Sequence, residues 1–232
     1  MLKGHSGSKL KKQWKVVEKK SSYLVTCEDL EDRSCFLAKL SQSLPFMPKI
    51  FEIKNWIIKY KYIEGSPDFE KINLIEFGKI VKKLHSLKID APKKDTGIYW
   101  LKEIAETNIQ NEGLHVDLDK IISELESDTE VIVHWEITDL IVNKNDEIFI
   151  LDWDEAGLGS KYQDLGYVYF KCKEQRNWDS DFREFLIGYN DKEIKENRIL
   201  KTAWLISIAY SRWANKDFRL KFWLYIIKWK KY

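Results

Sequence analysis

The hydrophobic residues of this chain recur at two different spacings along its 232 residues. Spacings of three and four residues predict helices, whereas short alternating or continuous apolar runs predict strands. Strand-like segments dominate before Gly65, and helix-like segments dominate after it. The segments with helical spacing are 27–44, 69–87, 97–110, 117–125 and much of the region from 162 to the end of the chain.

The strand-like segments come in pairs that could each form a hairpin. The three pairs are 9–13 with 14–19, 49–53 with 56–63, and 131–133 with 148–151. The third pair is short and apolar, and it is expected to be a small buried hairpin flanked by polar loops. Glu64–Pro67 ends the strand pattern. The sequence therefore predicts a strand-rich part, 1–65, and a mainly helical part, 66–232.

Composition excludes several classes of protein. Hydrophobic residues make up 44% of the chain and charged residues 33%, which is too apolar for a disordered protein. A net charge of +2 gives no overall field that would favour nucleic acid as a partner. No run approaches the roughly 18 apolar residues of a membrane-spanning helix, so membrane insertion is not expected. Three cysteines, an odd number without metal-binding spacing, fit a reducing compartment and predict a cytoplasmic protein.

Two acidic loops carry the candidate chemistry. Residues 134–139, HWEITD, follow the first apolar run of the third pair, and residues 152–154, DWD, follow the second. Carboxylates that converge at strand ends can hold Mg²⁺, which prefers oxygen ligands and leaves coordination positions for phosphate oxygens. The sequence has no P-loop and no Gly-x-Ser-x-Gly elbow, so neither a P-loop nucleotide site nor a hydrolase triad is expected.

The second loop is similar to the metal-binding loop of the aminoglycoside phosphotransferase and choline kinase family. Residues 150–159, ILDWDEAGLG, and 162–166, YQDLG, follow the family form of apolar strand, Asp-Trp-acid, Ala-Gly, Gly and a later Asp-Leu-Ala. The resemblance implies that Asp152 binds the Mg²⁺ that bridges the ATP phosphates, with Asp154 as a second candidate. It also implies that Asp164 is structural and accepts hydrogen bonds from the backbone near His134.

The first loop resembles the catalytic loop of that family, but the match is imperfect. The family form is His-Gly-Asp, four residues, then a metal-binding Asn. Here His134 and Glu136 are the implied catalytic residues, with Glu136 in the place of the base Asp. Asp139 aligns with the Asn only if two residues are deleted, and it would then hold the metal. These changes leave two readings open: an active kinase, and a pseudokinase that binds nucleotide and acts through a protein partner.

The N-terminal part supplies the implied nucleotide contacts. Gly4, Gly7 and Ser8 resemble a shortened Gly-rich loop over the phosphates. A strand-end lysine would pair with the phosphates and with a helix glutamate. Lys19 is preferred to Lys20, and Glu31 to Glu28. Residues 61–63, Lys61, Tyr62 and Ile63, resemble the segment whose backbone binds the adenine edge.

Taken together, the resemblance implies an α+β, protein-kinase-like, two-lobed fold with a small antiparallel β lobe and a larger helical lobe. The implied ligands are ATP with Mg²⁺ in the cleft, and the implied reaction moves the γ-phosphoryl group to a hydroxyl of a small molecule. The acceptor, which could be an aminoglycoside, choline or a sugar-like alcohol, cannot be read from the sequence. His85 ends a segment like the family's Leu-His helix end and is expected to pack or cap. A protein kinase is disfavoured because His-Arg-Asp and Asp-Phe-Gly are missing.

Overall fold

The short strands of the chain form three small antiparallel sheets. This holds for residues 22–26, 30–54, 57–92, 102–103, 105–106, 118–126, 130–153 and 156–209, which the computed structural model describes. The chain divides into two units, and each sheet lies within one of them. The described residues of the first unit are 22–26, 30–54, 57–68, 88–92 and 139–153, and the other described residues form the second unit.

The first unit contains two of the sheets and one helix. Its elements are β1 (Ser22–Thr26), α1 (Leu30–Ser43), β2 (Ile50–Lys54), β3 (Ile57–Lys61), β4 (Gly65–Ser66), β6 (Leu140–Asn143) and β7 (Ile148–Ile150). Strand β3 is central in the first sheet, between β1 and β2, and the second sheet has the order β4-β6-β7.

Burial alternates along β3. Ile58 and Tyr60 are buried, Lys59 between them is half-buried, and Ile57 and Lys61 at the two ends are exposed, as expected when successive side chains point to opposite faces. Helix α1 presents an apolar face of Phe36, Leu37 and Leu40, and these residues and Leu44 just after the helix are all buried. The predicted helix at 27–44 and the predicted hairpin of 49–53 with 56–63 are therefore confirmed.

The second unit is mainly helical. Its elements are α2 (Leu74–His85), α3 (Leu118–Glu126), β5 (Glu130–Val133), β8 (Gly157–Ser160), α4 (Tyr162–Gln175), α5 (Trp178–Tyr189) and α6 (Glu196–Ala209). Helix α4 is buried along almost its whole length, from Tyr162 to Phe170 and again at Cys172, which makes it the core helix of this unit. The helices predicted at 69–87, 117–125 and after 162 are confirmed as far as 209.

Glycines allow the helices of the second unit to pack closely. A Cβ atom at Gly188 of α5 would lie 1.9 Å from the Ile75 carbonyl oxygen of α2, and one at Gly78 of α2 would lie 2.2 Å from the Phe185 carbonyl oxygen. Real atoms cannot approach so closely, so the two helix backbones are in contact at this crossing. The helix pair α2 and α5 depends on both glycines.

The predicted hairpin of 131–133 with 148–151 is wrong. Strand β5 pairs with β8, from Glu130 opposite Ser160 to Val133 opposite Gly157, and β7 pairs with β6. The tight turn between β6 and β7 explains the second pairing, because the Asn143 side chain accepts hydrogen bonds from two backbone N–H groups of the turn. Strand β8, with two glycines in four residues, has too little β propensity to be recognised from its sequence.

Several predicted elements lie outside the described residues. These are the hairpin of 9–13 with 14–19 and the region after 209; of the helix at 97–110, residues 102–103 and 105–106 are described and helical. Among the residues that the structure describes, no helix has the length and apolar character needed to cross a lipid bilayer.

Candidate phosphotransfer site

Asp152 lies two residues beyond the end of β7, and backbone hydrogen bonds hold the residues before it. The Ile150 N–H donates to the Phe46 carbonyl at 2.9 Å, and the Leu151 N–H donates to the Asp139 carbonyl at 2.8 Å. The second bond ties the end of β7 to the residue that precedes β6. Asp139 and Asp152 are therefore neighbours through their backbones as well as through their side chains.

Trp153 secures the chain on the other side of Asp152. Its indole Nε1–H donates to the Ile150 carbonyl at 2.7 Å, its side chain is fully buried, and its ring centre lies 6.3 Å from that of Phe46. Asp152 itself has a φ of 59°, in the left-handed region that costs a residue with a Cβ atom roughly 1–2 kcal/mol. Backbone strain held in place by buried neighbours is common at functional sites.

The loop that follows β5 is braced by one buried carboxylate. Asp164, at the start of α4, is fully buried and accepts the His134 N–H on Oδ2 at 2.9 Å and the Trp135 N–H on Oδ1 at 2.8 Å. Hydrogen bonds from N–H groups to a charged carboxylate are stronger than those between neutral groups. The expectation that Asp164 is structural and binds the backbone near His134 is confirmed.

A second buried pair extends this brace. His85 Nε2 lies 3.0 Å from Asp164 Oδ2, and His85 Nδ1 lies 2.7 Å from the Tyr189 hydroxyl. Burial raises the pKa of Tyr189 far above its usual range, so the phenol keeps its proton and can donate it to Nδ1. His85 then carries its proton on Nε2 and donates to Asp164. His85 is thus a buried packing residue, as expected from its place at the end of α2.

The three predicted acidic residues lie together. Glu136, Asp139 and Asp152 each offer a carboxylate oxygen, and these oxygens all lie within 4.8 Å of one another. Two oxygens bound to one Mg²⁺ at about 2.1 Å can be at most about 4.2 Å apart. The 4.8 Å that bounds the observed spacing is close to that limit, and the metal-binding role of Asp139 and Asp152 stays a prediction.

The predicted nucleotide contacts fall partly outside the described residues. Gly4, Gly7, Ser8, Lys19 and the alternative Lys20 lie outside them, as do Glu28 and the second metal candidate Asp154. Glu31 lies in the first turn of α1, but its side chain is outside the described part.

The segment predicted to bind adenine follows the central strand of the first sheet. Lys61 ends β3 and is exposed, Tyr62 is half-buried, and Ile63 is buried. The Lys61 N–H donates to the Lys49 carbonyl at 2.7 Å, so this backbone donor is already in use. The carbonyl of Lys61 and the backbone groups of the next two residues remain the predicted partners of a base.

Sequence reasoning missed Tyr189 and the conformation of Trp135. Tyr189 is 104 residues from His85 along the chain, and no local pattern distinguishes it from the many other aromatic residues of the helical region. Trp135 has a φ of 86°, at the position where the family form has glycine. That substitution was visible in the sequence, and a glycine replaced by a bulky residue is a signal for an unusual backbone.

Sequence comparisons show a weak similarity to a curated protein. No protein-family model matches the sequence. Among curated sequences, Protein LicA homolog of Mycoplasma capricolum subsp. capricolum is 23% identical in an alignment 168 residues long, which covers 69% of this chain and 70% of that protein.

Solved structures give a clearer similarity. Choline kinase LicA from Streptococcus pneumoniae matches with a TM-score of 0.62 and 13% identity over 91% of this chain and 86% of that one. Spectinomycin phosphotransferase APH(9)-Ia, in complex with AMP, matches with a TM-score of 0.62 and 16% identity over 91% and 84% of the two chains. ADP-bound aminoglycoside phosphotransferase APH(2'')-Ib gives 0.59 and 17% over 94% and 88%. The chain therefore has the α+β, protein-kinase-like fold of choline kinases and aminoglycoside phosphotransferases, which confirms the resemblance first seen at residues 150–166.

Proposed function

We propose that this protein is an ATP- and Mg²⁺-dependent phosphotransferase that moves the γ-phosphoryl group to a hydroxyl of a small molecule. The observation that carries the proposal is the cluster of Glu136, Asp139 and Asp152, with carboxylate oxygens within 4.8 Å of one another, in a chain with a phosphotransferase fold. Solved structures with this fold have been determined with AMP and with ADP, which supports nucleotide as the co-substrate.

Asp139 and Asp152 are the residues that would hold Mg²⁺. When bound, the ion supplies positive charge that offsets the charge on the transferring phosphoryl group. The left-handed backbone at Asp152 and the buried Trp153 beside it fix the direction of one carboxylate before any ligand arrives. A site that is organised in advance loses less free energy to ordering when it binds its ligand.

Glu136 is the residue that would receive the proton of the acceptor hydroxyl. The acceptor oxygen forms a bond to the γ-phosphorus as the bond to the β–γ bridging oxygen breaks, ADP leaves, and the hydroxyl proton passes to the Glu136 carboxylate. The His134 side chain is fully buried, and the backbone N–H of His134 donates to Asp164. His134 would therefore act by shaping the loop rather than by contacting substrate.

A pseudokinase that acts through a protein partner is the second candidate. Three changes in one loop together favour the pseudokinase. A Glu replaces the family's Asp, an Asp replaces its metal-binding Asn, and the loop that carries both is shorter. An additional carboxylate beside Asp152 increases repulsion among the three acids when no ion is bound. Such a site can bind nucleotide with a metal and still hold the acceptor too far from the base for transfer.

The first experiment measures nucleotide binding by thermal shift, with ATP alone, Mg²⁺ alone and both together. Stabilisation by Mg²⁺ and ATP together is expected for the wild type and is expected to disappear in Asp152→Ala. The matched control is Asp119→Ala, which removes an exposed carboxylate from α3 and should leave the shift unchanged. Failure of the wild type to bind nucleotide at millimolar concentration contradicts both candidate functions.

The second experiment separates the two candidates by turnover. ADP release is measured with an acceptor panel taken from the structural neighbours: choline, ethanolamine, spectinomycin, gentamicin and streptomycin. Turnover that falls about 10²–10⁴-fold in Glu136→Gln, measured with Mg²⁺ and ATP at saturating concentrations, supports the kinase. Nucleotide binding without turnover on any acceptor supports the pseudokinase.

A further inference from the structure

Trp135 has a backbone conformation that a bulky residue rarely adopts. Its φ of 86° lies in the region where the Cβ atom and the following backbone crowd each other, and where glycine is the usual residue. Glu136, which comes directly after Trp135, supplies one of the three carboxylates of the acidic cluster. The direction of the Glu136 side chain therefore depends on a strained residue.

The contacts of Trp135 show what holds this conformation. Its N–H donates to Asp164 Oδ1 at 2.8 Å, which fixes one end of the residue. Its indole ring is 7% exposed and meets the ring of Tyr167 edge-to-face, with 6.1 Å between ring centres. Tyr167 is itself buried in α4. The ring thus anchors the loop to the core helix of its unit.

These two attachments have different consequences. The hydrogen bond to Asp164 would form with any residue at position 135, because it uses the backbone. The aromatic contact needs the Trp135 side chain, and without it a residue with a Cβ atom can relax towards negative φ. Such a change would rotate the peptide group between residues 135 and 136 and turn the Glu136 carboxylate away from Asp139 and Asp152.

We propose that Trp135 is a positioning residue for Glu136: its ring, packed on Tyr167, keeps the loop in the left-handed conformation that places the Glu136 carboxylate in the acidic cluster. The inference rests on the proposed function, because it assigns Glu136 its role in the reaction. A direct contact of the indole with the acceptor is disfavoured by its burial. The effect of Trp135 is on the rate of phosphoryl transfer rather than on the affinity for the acceptor.

The test uses two substitutions that both remove the ring but differ in the backbone they allow. Trp135→Gly adopts positive φ without strain, whereas Trp135→Ala does not. The kcat of Trp135→Ala is expected to fall about 10²-fold, the loss typical of a displacement near 1 Å, with the KM for the acceptor little changed. Trp135→Gly is expected to retain most of the wild-type kcat although it is less stable than the wild type.

A second measurement needs no turnover. Binding of Mn²⁺ alone is measured from the decrease in the electron paramagnetic resonance signal of the free ion. In Trp135→Ala the Glu136 carboxylate is expected to turn away from the cluster, and the lost negative charge should weaken Mn²⁺ binding by at least about fivefold. In Trp135→Gly the carboxylate is expected to stay in place, and Mn²⁺ binding should not weaken. This arm still tests the proposal if the wild type proves to be catalytically inactive. Absence of activity in the wild type would then count against the proposed function and not against the role of Trp135.

Equal kcat and Mn²⁺ affinity in folded Trp135→Gly and Trp135→Ala would overturn the proposal, because the backbone conformation would then have no effect. If the alanine variant does not fold, Tyr167→Leu removes the support from the other side while residue 135 stays intact. It is expected to reproduce the fall in kcat, with Tyr167→Phe as the control that keeps the ring. A folded Tyr167→Leu protein with wild-type kcat and Mn²⁺ affinity would also overturn it.

Discussion

Single buried polar residues shape the candidate site, and Asp164 is an example with three contacts. It accepts N–H groups from His134 and Trp135 and lies 3.0 Å from His85 Nε2, all without exposure to solvent. A change to one member of such a buried, hydrogen-bonded group lowers the free energy of unfolding strongly, because the remaining groups lose their hydrogen bonds without gaining bonds to water.

Asp164→Asn is therefore expected to lower the free energy of unfolding by about 3 kcal/mol. The amide nitrogen of Asn can only donate, so it would face an N–H group where the carboxylate oxygen accepted one. Urea denaturation followed by circular dichroism measures the loss. Asp146→Asn, the same chemical change in an exposed turn that tolerates positive φ, should stay within about 0.5 kcal/mol of wild type. Equal stabilities of the two variants would show that the brace is unimportant for folding.

Some residues of the candidate site can be predicted from the sequence, and others cannot. The acidic loops that carry Asp139 and Asp152 are visible in the sequence because each adjoins a short apolar run, whereas the metal-binding roles of the two residues are implied by the family resemblance. The brace by Asp164 was recognised only through the resemblance, since the residues it joins are about 30 positions apart. The positive φ of Trp135 depends on its contact with Tyr167, and no nearby residue encodes that contact.

At the level of elements, the backbones of α2 and α5 are in direct contact where the helices cross, because glycines occupy the crossing. Gly188→Ala is expected to cost about 1–3 kcal/mol, because the new Cβ atom would lie 1.9 Å from the Ile75 carbonyl oxygen and the helices would have to move apart. In an exposed helix the same substitution would stabilise by up to about 1 kcal/mol through the lower backbone entropy of alanine.

Chemical denaturation of Gly188→Ala checks this expectation. Its neighbour Ile187 is 66% exposed on the same helix, so Ile187→Ala should change stability by no more than about 0.5 kcal/mol. A Gly188→Ala protein that is more stable than wild type would mean that α2 and α5 do not cross as closely as described.

Helices were predicted better than strand pairings, for a physical reason. A helix forms its hydrogen bonds within one segment, so the spacing of its apolar residues is visible locally, as at 69–87 and 117–125. A strand needs a partner elsewhere, and the same short apolar run can pair with several others. Strand β5 pairs with the glycine-rich β8, and β4 pairs with β6 although Gly65 and Ser66 look like a turn. A Cβ atom at Gly65 would lie 2.2 Å from the Val142 carbonyl oxygen, a closeness that only the structure reveals.

For the whole molecule, the buried thiol of Cys172 offers a measure of global opening. Burial raises the pKa of Cys172 to about 12, and its side chain is inaccessible in α4. In a variant with Cys27→Ser and Cys35→Ser, the thiol is expected to react with Ellman's reagent only when the protein opens, so the rate should rise steeply with urea. A matched variant that keeps only the exposed Cys35 should react at once.

Ligand binding should change that rate if the proposed function holds. Mg²⁺ and ATP at 100 times their dissociation constant are expected to slow the labelling of Cys172 about 100-fold, because they bind only the folded protein. The slowing should be absent in Asp152→Ala. Rapid labelling of Cys172 without urea or ligand would show instead that α4 is accessible in the native state.

The two N–H groups that share the Asp164 carboxylate also provide a spectroscopic reporter. Short hydrogen bonds to a buried charge move amide proton resonances downfield, so those of His134 and Trp135 should stand apart from the crowded centre of a proton–nitrogen spectrum. Their positions depend on one carboxylate, and they should shift together whenever the loop changes its conformation. Two assigned peaks would thus report the state of the loop in solution without any added label.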